Sequence, residues 1–114
     1  MSLTTDEDPA APGGLGALGD YLLKEPLRNS IRVLLLLSLG MNQGMSFTDL
    51  LKLTQVSKGS LGHHLEQLEQ ARLVRSRMVF TLAGPRLLVE ITTEGRRTYE
   101  EFLRLLGQLG PGSR

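Results

Sequence analysis

The sequence predicts a mainly α-helical domain with one small β-hairpin, an α+β fold in a single unit. Three observations predict it. Apolar residues recur at helical spacing through most of the chain. Between Leu73 and Ile91 the period switches to two, as in strands. Helical spacing then returns over about 93–109 and stops at Gly110-Pro111-Gly112. A length of 114 residues suits one domain with short tails. With 40% hydrophobic and 22% charged residues, the composition is that of a globular chain.

Residues 1–14 mix acidic and small polar residues with Pro and Gly, and they read as a disordered acidic tail. One globular domain is expected over 15–110. Leu15, Leu18, Leu22 and Leu23 mark a helix over 15–27, and Gly14, Gly16 and Gly19 weaken its first half by up to about 1 kcal/mol each. Asn29 caps a helix over 30–39, and Gly40 ends it in a left-handed conformation. Ile31, Leu34, Leu35 and Leu37 make that helix apolar nearly all round, so it belongs at the centre of the core.

Met41–Met45 is expected to be a loop. Ser46-Phe47-Thr48-Asp49 has the form of a capping box with Asp in the usual Glu place. It opens a helix over 46–54 that buries Phe47, Leu50 and either Leu51 or Leu53. Gln55-Val56 is a tight turn, and Ser57 caps a helix over 57–71 with Leu61, Leu65 and Leu68 on one face. Two helices joined by about three residues, the second behind a Ser cap, form a helix-turn-helix signal. Strands follow over 73–82, with Val74, Met78, Phe80 and Leu82 on one parity, and over 86–91, with Leu87, Val89 and Ile91 inward. Ala83-Gly84-Pro85 is the turn between them. Thr92 caps a last helix over 93–109 carrying Tyr99, Phe102, Leu103, Leu106 and Leu109 as an apolar stripe.

Two segments together resemble the winged helix-turn-helix regulators of the MarR-like and ArsR-like groups. The first runs Phe47-Thr48-Asp49-Leu50-Leu51 and then from Val56 through Ser57, His63-His64-Leu65 and Leu68-Glu69 to Leu73-Val74. The second is Val89-Glu90-Ile91-Thr92-Thr93-Glu94-Gly95, which is similar to the family's strand, Thr, acidic, Gly entry to the C-terminal helix. The resemblance covers about Asn29 to Leu109. It implies a winged helix with extra N- and C-terminal dimerisation helices, and a cytoplasmic, homodimeric repressor that reads a pseudo-palindrome in double-stranded DNA. It implies that Lys58, Gly59, Ser60, Gly62 and His63 face the duplex.

The physical reading agrees. A recognition helix buries one face and turns the other to the major groove. Small residues let it sink deep. Lys58 can meet a phosphate or a guanine edge, and Gln67 can read adenine. Ser57 caps the helix and can touch a phosphate. Arg86 at the wing turn, with Arg75 and Arg77 on one outward parity, are the candidates for wing contacts. Some residues depart from the pattern. Glu66 stands where relatives often carry a base, Gly62 replaces a common Ser, and Arg72 replaces the Gly that usually ends this helix, so the exit is expected to be made differently. His64 is expected at the core edge, donating to a backbone group.

The terminal stripes, Leu15, Leu18 and Leu22 with Tyr99, Phe102, Leu103, Leu106 and Leu109, exceed what one small core covers. They are assigned to a dimer interface, although the two helices can instead cover each other within one chain. The net charge of +1 divides unevenly: residues 1–20 carry −4 and residues 21–114 carry +5, which suits a specific duplex binder.

Other classes are excluded. There is no cysteine, hence no disulfide, thiol nucleophile or thiolate metal site. The two His are adjacent, which on a helix is poor metal spacing, so no metal and no cofactor are expected. The longest apolar run, Val33 to Leu37, is far short of a membrane span of about 20 residues. No phosphate loop or nucleophile–base pair suggests an enzyme. The rival reading keeps the fold but makes it a protein-interaction module, favoured by Glu66 and the weakly basic wing. An effector pocket between the terminal helices and the core is a further expectation, with no ligand named.

Overall fold

The computed structural model describes residues 15–109. The expected tail over 1–14 and the stop at Gly110-Pro111-Gly112 lie outside them. The elements in order are α1 (Leu15–Leu22), α2 (Ser30–Asn42), β1 (Gly44–Ser46), α3 (Phe47–Thr54), α4 (Lys58–Gln70), β2 (Val74–Thr81), β3 (Gly84–Ile91) and α5 (Thr93–Gly107). The three strands form one antiparallel sheet in the order β1-β3-β2. Five helices around a small sheet with a projecting hairpin is the fold class the sequence predicts.

Local chemistry starts helices α2 to α5. The Asn29 side chain accepts from the Ile31 and Arg32 backbone N–H groups, Ser46 from Asp49, Ser57 from Ser60 and Thr92 from Gly95. Leu35, Leu36 and Leu39 of α2 are fully buried, with Leu50, Leu61, Leu65, Leu68, Val74, Val89 and Ile91 around them. At about 1.5–3 kcal/mol for each large apolar side chain buried, this cluster is the main source of cohesion.

Four boundaries differ most from the sequence expectation. Helix α1 ends at Leu22, not near Leu27. Pro26 explains this, because it has no N–H to bond the Leu22 carbonyl four residues back and its ring clashes with that carbonyl in a helix. Helix α2 runs past Gly40 to Asn42, and Gln43 ends it with a positive φ of 67°. Gly40 instead serves a close approach: a Cβ there would collide with the Tyr99 ring. The expected loop at Met41–Met45 contains the start of β1, whose residues pair with Leu88–Glu90 of β3. In the hairpin, Thr81 pairs with Gly84, so the turn is Leu82-Ala83 rather than Ala83-Gly84-Pro85. Gly84 enters β3 with φ 107°, a backbone only glycine adopts freely.

The terminal helices pack on each other within the one chain. Leu18 of α1 and Phe102 and Leu105 of α5 form a second buried cluster within the one chain. Tyr21 stacks on Phe102 with centroids 6.4 Å apart and donates to the Thr98 carbonyl at 2.8 Å. Leu18, Phe102 and, through Gly40, Tyr99 are thus accounted for by intrachain packing. Leu15, Leu103 and Leu106 stay exposed, at 52%, 43% and 39%.

Candidate nucleic-acid interface

Helix α4 has two faces of different character. Leu61, Leu65 and Leu68 are buried against the core. Lys58, Gly59, His63 and Glu66 are exposed, and Ser60, Gly62 and Gln67 are half-buried. A Cβ added at Gly59 or Gly62 would meet nothing within 4 Å. The helix therefore presents bare backbone between His63 and its capped N-terminus, a profile that fits a groove. Gly59, Gly62, His63 and Glu66 fall at i, i+3, i+4 and i+7, one continuous stripe. Ser57 uses its side chain on the Ser60 N–H at 3.1 Å.

The wing carries the expected bases, but Arg75 and Arg77 are not free. Arg77 binds Glu90 in a two-pronged pair, with Nε at 3.0 Å and Nη2 at 3.2 Å. Arg75 Nε lies 3.4 Å from the same carboxylate. The hydrogen bond from Arg77 holds the Glu90 carboxyl below its ordinary pKa, with the charges of Arg77 and Arg75 acting the same way. This trio carries one net positive charge rather than two. Arg86 stands opposite Val79 on the same face of the hairpin and is exposed. The other face is apolar and bare beyond the core: Met78 is 54% and Phe80 83% exposed, with Leu82 at the tip.

The winged helix DNA-binding domain model matches residues 31–109. The chain belongs to this winged-helix family. It is similar to the transcriptional regulator homologue of Pyrococcus horikoshii OT3, at 27% identity over 80% of this chain and 90% of that one, with a TM-score of 0.70. It is similar to a MarR variant of E. coli complexed with operator DNA, at 26% identity over 80% and 64%, with a TM-score of 0.62. The S. aureus MepR–DNA complex shares the fold at 19% identity over 81% and 75%, with a TM-score of 0.66. No curated protein sequence matches. The MarR-like resemblance is thereby shown, and with it the coarse function: a DNA-binding transcriptional regulator.

Within this winged helix, two residues behave differently from the sequence expectation. Arg72 adopts φ 65° at the exit of α4. The Leu73 N–H reaches back to the Leu68 carbonyl at 3.0 Å and the Arg72 N–H to Glu69 at 2.9 Å. That is the ordinary left-handed helix exit, with Arg carrying a strain of about 1 kcal/mol that Gly would avoid. His64 lies at the core edge as expected, but it accepts rather than donates: Arg32 Nε binds its Nδ1 at 3.0 Å. Arg32 in turn holds Glu25 at 2.8 Å, so it meets a carboxylate within the fold.

The His64 contact makes stability depend on pH. Burial first, then the charge of Arg32, then His63, lower its pKa below the ordinary imidazole value of about 6.5. As pH falls, the unfolded chain takes up the proton first. The contribution is complete above about pH 6.5 and is lost as pH drops towards the lower folded value. His64→Asn keeps an acceptor near Nδ1 and removes the titration. Urea midpoints taken at pH 7.5 and 5.5 should fall further for the wild type than for His64→Asn. Equal falls would remove His64 from this role.

Glu90 is the site residue that sequence reasoning missed. Placing the turn at Leu82-Ala83 puts Glu90 directly across from Arg75 and diagonal to Arg77. The bulkier turn signal one residue later hid that pairing. Among the described residues, no helix is long and apolar enough to cross a membrane.

Proposed function

We propose that this protein is a cytoplasmic, homodimeric repressor that reads a pseudo-palindromic duplex site. One observation carries the reading: α4 offers an uncovered stripe of Gly59, Gly62 and His63 beside a capped, Lys58-bearing N-terminus. Ser57, Lys58, Ser60 and Gln67 border that stripe, and Arg86 reaches the flanking backbone from the wing. Arg75 and Arg77 join when phosphate oxygens compete with Glu90. Exposed Leu15, Leu103 and Leu106, continuous with half-buried Leu22 and Leu109, support pairing of two copies through α1 and α5. Such a pair sets two recognition helices roughly 34–36 Å apart in successive major grooves.

A second reading, docking to a protein, is favoured by Met78 and Phe80 standing exposed on the wing. Selection of bound duplexes from a random pool separates the two. A palindrome should be enriched, and its affinity should fall steeply with salt as phosphate contacts release counterions. No enrichment, or an affinity flat in salt, would overturn duplex recognition and leave protein docking.

A further inference from the structure

An open cavity of about 690 Å³ lies where the first turns of α5 meet the root of the wing and the end of α2. Its lining includes Arg72, Arg75, Arg96 and Arg97 against the carboxylates of Glu94 and Glu100. Four guanidiniums from three separate segments therefore converge on one space large enough for a small metabolite.

We propose that this cavity binds a small polyvalent anion bearing phosphate or carboxylate groups. The four guanidiniums of the lining outnumber its two carboxylates by two, a surplus that Glu90 beside Arg75 reduces without removing. The internal contacts leave much of the donor capacity unused. Arg96 gives Nη2 to the Gln43 side chain at 2.7 Å and Nη1 to the Gly40 carbonyl at 3.4 Å, both neutral acceptors. Arg72 and Arg97 make no side-chain hydrogen bond or ion pair among the described residues, and Arg75 has only its longer contact to Glu90. Cations in the first turn of a helix oppose the helix dipole, and an anion between them reverses that cost. Guanidinium forks match phosphate and carboxylate oxygens in pairs.

A phosphate of the DNA backbone is the other source of the same chemistry. The position argues for a free ligand. Arg72 follows the C-terminus of α4, and the proposed groove contacts from Ser57 to His63 are at its N-terminus, with only Gln67 on the helix and Arg75 on the wing lying nearer the cavity. Thirteen residues of helix separate the two by about 20 Å.

The test uses the full chain without DNA, with pyrophosphate and citrate as probes at constant ionic strength. Calorimetry should show saturable binding of at least one of them. In nitrogen–proton spectra of the wild type the displaced signals should cluster at Arg72, Arg75 and Thr93–Arg97. Arg72→Gln/Arg97→Gln should weaken binding at least tenfold. Lys24→Gln/Arg28→Gln, which removes the same charge elsewhere, should leave it within about twofold. Gln fits the backbone at position 72, since Gln43 and Gln55 already hold positive φ in this chain. Equal weakening by both double variants, or displaced signals scattered over the surface, would overturn the site. So would a tenfold loss of duplex affinity in Arg72→Gln/Arg97→Gln with neither free probe binding, which would mark a backbone-phosphate seat. The binding arms involve no duplex, so their failure is distinguishable from failure of the operator reading.

Discussion

Gly95→Ala should cost about 3 kcal/mol of stability, at the upper end of what overpacking does to a core. The reason is a backbone contact. A Cβ at Gly95 would run into the carbonyl of Leu73 and press on Ile91. A side chain in the way can rotate aside, but this carbonyl cannot. It already accepts from the Thr92 N–H at 3.0 Å, and the preceding peptide, through the Leu73 N–H, is locked into the exit of α4. Relief requires lifting α5 off the sheet, which disturbs the buried Val74 and Ile91 as well. For a domain of this size, Tm should fall by more than about 12 °C. Gly107→Ala is the control, because a Cβ there meets nothing within 4 Å. Thermal unfolding followed by circular dichroism decides the matter, and a Gly95→Ala midpoint within about 4 °C of wild type would contradict the packing argument.

Gly62→Glu should have the opposite profile, losing function while keeping the fold. Nothing lies within 4 Å of a Cβ at position 62, so the side chain has room. Replacing Gly inside a helix relieves up to about 1 kcal/mol, so Tm should hold or rise. The new carboxylate would project from the middle of the stripe formed by Gly59, His63 and Glu66. There it would separate the helix from the groove floor and repel phosphates. Affinity for the selected duplex should drop at least a hundredfold in fluorescence anisotropy at fixed salt. An affinity within threefold of wild type would remove this face of α4 from the DNA interface.

Features set by neighbours in sequence were legible before the structure. Ser46, Ser57 and Thr92 each cap a backbone N–H three residues on, so their roles follow from local spacing. The buried face of α4 follows from the Leu61, Leu65, Leu68 period in the same way. What stayed hidden depends on distant partners. Strand β1 is three residues long and exists only because β3 lies beside it. Gly40 has the look of a helix stop and instead makes room for Tyr99, 59 residues away in sequence. The apolar stripe on α5 does not reveal that α1 covers Phe102 while Leu103 and Leu106 stay bare. In the candidate site, α4 was readable because its residues are contiguous. The neutralisation of Arg75 and Arg77 was not, because it depends on hairpin register.

Thr92 joins the two ends of this picture. Its hydroxyl donates to the Arg72 carbonyl at 2.6 Å and accepts from the Gly95 N–H at 2.9 Å, and its own N–H holds Leu73. One residue thus rivets the exit of α4 to the first turn of α5. A rotation of α5 cannot be absorbed in a slack hinge and must pass into α4 as torque. If two copies meet along α5, the angle at which those helices cross fixes how far apart the two α4 helices stand. A wedge of even one side chain between the crossing helices would swing them out of step with the turn of the double helix.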